Sequence, residues 1–103
     1  MSDRYEGKPF LRLLDSYVLD TIGHLDAANS TWLTEAEPFF RATYNAQGSW
    51  REIVEKQMQF PAGMAASIRE LWTKGSARFV EANGHAPEPM QFTVMFVDEN
   101  FPH

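Results

Sequence analysis

The sequence predicts an all-α fold, a compact single-domain bundle of about five helices joined by short loops. Three observations lead to this prediction. Apolar residues recur three, four and seven apart over residues 61–83, which is the spacing of one helix face. Prolines or capping residues precede most apolar segments, and glycines follow them. The one segment with strand-like alternation, at residues 92–96, has no second segment with which to pair.

Length and composition predict one globular domain. The chain has 103 residues, of which 44% are hydrophobic and 22% charged, as in ordinary folded proteins. Residues 1–8 are polar and contain Gly7, so we expect a flexible N-terminal tail there and a single helical domain over residues 9–103.

The first helix is predicted over residues 9–25. Pro9 suits the first helical turn, where its missing N–H costs little. The apolar face is broad enough to contact more than one other helix. Its members are Phe10, Leu11, Leu14, Tyr17, Val18, Ile22 and Leu25.

The second helix has an ambiguous start. Thr34 and Glu37 form a capping-box pattern that places Pro38 in the first turn. This pattern favours a short turn at residues 30–33 and a main helix over residues 35–46. The alternative is a helix that begins near Ser30 and is kinked at Pro38.

Two further helices follow closely. Ser49 and Glu52 form a second capping box, which predicts a helix from Trp50 to about Gln59. A long central helix is predicted near residues 61–83, and we expect the rest of the chain to pack against it. Its predicted buried stripe consists of Met64, Ile68, Leu71, Trp72, Gly75, Phe79 and Ala82.

The last segment, residues 90–101, fits two interpretations. Phe92, Val94 and Phe96 alternate as in a strand. Glu88-Pro89 is typical of a helix start, and a lone strand would lack a partner. The sequence therefore favours a helix.

Several short motifs resemble small helical domains of uncharacterised bacterial proteins. They are GSWREIVEKQM followed by FP, then IRELW, and a closing FVDENF. The resemblance covers most of the chain from Gly7 onward. It implies a bacterial, single-domain, all-α protein and transfers no site.

Composition and spacing exclude several function classes. The chain has no cysteine, so disulfides and thiolate metal sites are excluded. The basic side chains are scattered or alternate with acids, which argues against nucleic-acid binding. No segment is apolar enough to span a membrane, and the N-terminus lacks a signal-peptide pattern, so we expect a cytoplasmic protein. No serine lies in a nucleophile motif, and the sequence indicates no cofactor and favours a non-enzyme.

The net charge of −5 is unevenly distributed along the sequence, and this is its most unusual feature. Between Arg12 and Arg41 there is no Lys or Arg, but there are five acids: Asp15, Asp20, Asp26, Glu35 and Glu37. Clustered carboxylates attract a basic partner and speed its association. Trp32 lies in the same window, and tryptophan is enriched at interface hot spots. The main hypothesis is thus a non-catalytic interaction domain, immunity- or adaptor-like, that binds a basic protein through helices 1 and 2.

Two other hypotheses remain open. Asp20 and His24 are four residues apart on a helix face, which makes them weak candidates for a metal or small-ligand site that could be enzymatic. Alternatively, the aromatic side chains of helix 2 or of Phe92, Phe96 and Phe101 form a homodimer interface.

Overall fold

The computed structural model describes residues 5–101, and within that range the chain is all-helical, with no strand. The predicted all-α class is confirmed, with six helices in place of about five. They are α1 (Pro9–Thr21), α2 (Ala27–Glu35), α3 (Glu37–Thr43), α4 (Trp50–Gln57), α5 (Met64–Asn83) and α6 (Pro89–Asn100).

The helices fall into two units. Residues 5–24 and 63–101 form one unit, in which α1 contacts both α5 and α6. Residues 25–62 form the other unit, in which α3 contacts both α2 and α4. We call them the α1/α5/α6 unit and the α2/α3/α4 unit. That residues 9–103 fold as one domain stays a prediction.

Helix α1 supplies most of the buried side chains of its unit. Leu11, Leu13, Leu14, Tyr17 and Val18 are all buried, and they point in more directions than one narrow stripe. A helix with such a broad apolar surface needs neighbours on more than one side, and α5 and α6 provide them.

Helix α1 ends four residues before the predicted end, because the chain turns at Gly23. Gly23 has a φ of 82°, in the left-handed region that suits glycine. The His24 N–H donates to the Leu19 carbonyl at 2.8 Å, and the Gly23 N–H donates to the Asp20 carbonyl at 3.0 Å. This pair of bonds is a Schellman motif, which satisfies carbonyls that the helix end leaves open.

Helix α5 is long and unbroken through Gly75, as predicted, but its predicted stripe is not the core. Of the seven stripe residues only Ile68 is buried, and Leu71 is 51% exposed. The expectation that the chain packs against α5 is therefore wrong, since α1 occupies that position in the unit. One periodic face does not reveal which of several apolar faces is buried.

The sequence favoured a short turn at residues 30–33 and a main helix over residues 35–46, but the structure has two helices, α2 and α3, which are separated at Ala36. Helix α2 begins earlier than predicted because the Asp26 side chain accepts a hydrogen bond from the Asn29 N–H and caps it. Pro38 lies in the first turn of α3, the predicted position. The Thr34–Glu37 capping box is absent, since the cap of α3 is Ala36 and has no side-chain cap bond.

Helix α4 begins at Trp50 with the predicted capping box. The Ser49 Oγ accepts from the Glu52 N–H, and the Glu52 carboxylate accepts from the Ser49 N–H, both at 3.2 Å. The helix ends at Gln57, two residues before the predicted end. Gln59 has a φ of 55°, and the Phe60 N–H donates to the Glu55 carbonyl at 3.0 Å.

The capping box yields a first prediction. Ser49→Ala should lower the free energy of unfolding by about 1 kcal/mol, because the Glu52 N–H loses its acceptor. Ser49→Asp keeps an acceptor at the cap and should retain most of the stability. Urea unfolding of both variants provides the measurement, and equal losses would contradict the capping role.

The C-terminal segment is a helix, α6, as the sequence favours. Pro89 occupies its first turn, and the Phe92 N–H donates to the Glu88 carbonyl at 3.2 Å. The rings of Phe92 and Phe96 stack with their centroids 5.8 Å apart. These two residues, which fit a strand-like alternation in the sequence, are four residues apart and therefore lie on the same face of the helix.

The predicted N-terminal tail falls partly on residues 1–4, which lie outside the described residues. From Tyr5 the chain forms a turn in which the Lys8 N–H donates to the Tyr5 carbonyl at 2.9 Å. In the described range no helix has both the length and the apolar character that a membrane crossing requires.

Candidate functional site

The five predicted acids divide between the two units. Asp15 and Asp20 lie on α1, whereas Asp26, Glu35 and Glu37 lie in the α2/α3/α4 unit. The predicted surface of helices 1 and 2 therefore takes its acids from both units.

Asp15 lies in the interior. Its side chain is only 1% exposed, and its Oδ2 accepts a hydrogen bond from the Tyr5 hydroxyl at 2.9 Å. A buried carboxyl group needs such partners, because burial removes it from water. The sequence predicted that Asp15 lies on a solvent-facing surface, and the structure contradicts this prediction because the side chain is buried.

Asp20 and His24 remain a weak pair for metal binding. Helix α1 ends at Thr21, so the helical spacing that would align their side chains does not extend to His24. The His24 ring instead contacts the Trp72 ring edge-on at 5.3 Å. In residues 5–101 no group of three or more His, Asp or Glu side chains could hold a metal ion.

Asp26 and Glu37 both take part in local hydrogen bonds. Asp26 accepts from the Asn29 side chain at 2.6 Å and from the Asn29 N–H, and these bonds lower the pKa of Asp26 in that order of importance. A Glu37 carboxylate oxygen accepts from the Trp50 N–H at 2.9 Å and so joins α3 to the start of α4. Asp26 therefore caps α2, whereas Glu37 links α3 to α4.

Two large aromatic side chains on this unit are exposed. Trp32 is 42% exposed and Phe39 is 67% exposed. Both rings contact the buried Phe40 ring edge-on, with centroids 5.9 Å apart in each pair. Phe40 thus contacts both exposed aromatic rings. We call Trp32, Phe39 and Glu35 together the aromatic–acidic surface.

Protein-family models, curated proteins and solved structures yield no match to this chain.

Glu35 adds charge beside the aromatic rings. It is exposed and lies three residues after Trp32 on α2, which places the two side chains on the same helix face. An exposed indole and a carboxylate at this spacing suit a guanidinium or ammonium group, through cation–π attraction and charge pairing.

Phe39 is the site residue that the sequence analysis missed. It lies in the predicted helix over residues 35–46, whose aromatic side chains the sequence offered as a homodimer interface. Consecutive helical residues point about 100° apart, so Phe39 and Phe40 cannot share the centre of one narrow face. That spacing was the available signal, but it does not say which of the two is buried.

The C-terminal aromatic side chains proposed for a homodimer contact one another within the chain. Phe96 stacks on Phe92 and meets Phe101 edge-on at 5.6 Å, and Phe101 is buried. Their surplus apolar surface is therefore smaller than the sequence indicates. The homodimer hypothesis stays a prediction, which light scattering tests.

Proposed function

We propose that the chain is a non-catalytic protein-interaction domain, which binds a basic partner through the aromatic–acidic surface of the α2/α3/α4 unit. The observation that carries this proposal is the exposure of Trp32 and Phe39, each of which contacts the buried Phe40 ring.

The aromatic side chains provide the binding energy in this proposal. Rigid aromatic side chains bury a large area on binding and lose little conformational entropy, which is why tryptophan is enriched among hot spots. Phe40 already restrains both rings in the free protein, so less order has to be gained on association.

The carboxylates provide the preference for a basic partner. Residues 25–40 contain Asp26, Glu35 and Glu37 but no Lys or Arg. A carboxylate that accepts hydrogen bonds, such as Asp26, is held in its charged form and contributes to the negative potential at neutral pH. Such a potential accelerates association with a positively charged protein.

This proposal is narrower than the hypothesis drawn from the sequence. Asp15 is excluded because it is buried, and Asp20 belongs to the other unit. Trp32 and Glu35 remain and Phe39 is added, while Asp26 and Glu37 contribute negative charge from the same unit. A domain of this kind would act as an immunity- or adaptor-like protein that covers a basic site on its partner.

The test is affinity capture from the source cells with the tagged protein, followed by calorimetry with the partner that is identified. Trp32→Ala should weaken binding by about 30-fold, the effect of losing a hot spot of about 2 kcal/mol. Glu35→Gln should weaken binding at about 0.1 M salt but not at about 1 M, where the Debye length is only about 3 Å.

The matched control is Leu71→Ala, which removes a similarly exposed apolar side chain from α5. It should leave the affinity unchanged. Full binding by both Trp32→Ala and Phe39→Ala, or affinity that does not depend on salt, would contradict the proposal.

A further inference from the structure

The α1/α5/α6 unit contains an apolar groove between α5 and α6. Its volume is about 430 Å³, within the range of sites that hold small organic molecules. Its large lining side chains are those of Trp72, Phe79, Phe92 and Met95. Met95 is 56% exposed, so the groove opens to solvent on that side.

Two small residues create the depth of the groove. Gly75 and Ser76 lie between Trp72 and Phe79 on one face of α5, at helical spacings of three, four and seven. A Cβ atom added at Gly75 would have no heavy atom within 4 Å. On the α6 side, the Phe92 ring meets the Trp72 ring edge-on at 5.1 Å. The aromatic rings thus surround a space that the small residues leave open.

One polar atom in the groove is left without a partner. The Ser76 Oγ is buried and makes no hydrogen bond to any described residue. A buried hydroxyl group without a partner costs roughly as much as a lost hydrogen bond, so native proteins rarely retain one. A ligand group at this position would supply the missing bond.

Among the described residues, none that lines the groove is an Asp, Glu, Lys or Arg. Besides Ser76, the lining residues with polar side-chain groups are Gln91 and Trp72. An ionised group in this space would lose its hydration without gaining an opposite charge. The site therefore favours uncharged ligands.

We propose that this groove binds an uncharged aromatic compound that carries a hydroxyl or carbonyl group, which hydrogen-bonds to Ser76. The aromatic lining favours a flat ring, because edge-to-face and offset contacts with Trp72, Phe79 and Phe92 become available. The ligand-sized volume and the buried hydroxyl at its wall favour a small molecule over a protein segment. This site is independent of the aromatic–acidic surface, because it lies in the other unit.

The experiment is a titration of the full chain with 2-naphthol, naphthalene and 2-naphthoate, followed by NMR of the methionine methyl groups. Met95 lines the groove, whereas Met58 belongs to the α2/α3/α4 unit and serves as an internal control. We expect 2-naphthol to shift the Met95 signal and not the Met58 signal. The carboxylate of 2-naphthoate should weaken binding by at least about tenfold, because its charge would be buried without a partner.

Two variants locate the ligand. Ser76→Ala should weaken binding of 2-naphthol by about fivefold and leave naphthalene unchanged, since one hydrogen bond is lost. Gly75→Leu should abolish binding of both compounds by filling the groove. Its thermal midpoint should be unchanged or higher, because leucine favours a helix over glycine and the added Cβ meets open space. Ser67→Ala, at an exposed serine of the same helix, is the matched control and should bind as the parent protein does.

Three outcomes would overturn the proposal. In the first, 2-naphthoate binds as tightly as 2-naphthol. In the second, Gly75→Leu binds normally. In the third, the Met95 signal does not respond to any probe but shifts with protein concentration alone, which would show that a second copy of the chain covers the groove.

Discussion

Leu14→Ala is expected to lower the free energy of unfolding by about 2–5 kcal/mol, the cost of removing a buried leucine side chain and leaving a cavity. Leu14 is almost fully buried on α1, the helix that contacts both α5 and α6. Urea unfolding followed by circular dichroism measures the loss.

Leu71→Ala is the matched control for this prediction. The sequence assigns Leu71 to the core of the central helix, but the side chain is half-exposed. Its truncation should change the stability by no more than about 0.5 kcal/mol, as is usual at the surface. Equal losses in the two variants would contradict the central position of α1 in its unit.

Asp15→Ala is expected to destabilise the protein by about 2 kcal/mol, because the Tyr5 hydroxyl loses a buried acceptor. Tyr5→Phe removes only the hydroxyl group and should cost about 1 kcal/mol. Thermal and urea unfolding of both variants give the measurement.

Glu35→Ala is the matched control for Asp15→Ala, since both acids lie in the segment between Arg12 and Arg41, which contains no Lys or Arg. Glu35 is exposed, so its loss should change the stability by less than about 0.5 kcal/mol. If Asp15→Ala were equally mild, the hydrogen bond from Tyr5 to Asp15 would not stabilise the fold.

The candidate site was predictable only in part. Glu35 could be selected because it lies in the acidic segment between Arg12 and Arg41, and Trp32 because it is a tryptophan in that segment. Phe39 could not, because its exposure depends on which side of α3 faces the neighbouring helices. The groove between α5 and α6 was not predicted from the sequence, for a related reason. The sequence assigns Gly75 to a buried stripe and gives Ser76 no role, whereas on a half-exposed helix both residues leave a space between two rings.

The sequence by itself determined the all-α class, the capping box of α4, the prolines in the first turns of α1, α3 and α6, and the long uninterrupted α5. These features depend on interactions among residues a few positions apart, which the order of residues specifies directly. Tertiary structure alone decided that α1 is buried in place of the α5 stripe, that Asp15 lies inside, and that Trp32 and Phe39 lie outside. This chain has several apolar helix faces, and not all of them are buried. Contacts between segments that are distant in sequence determine which faces are covered.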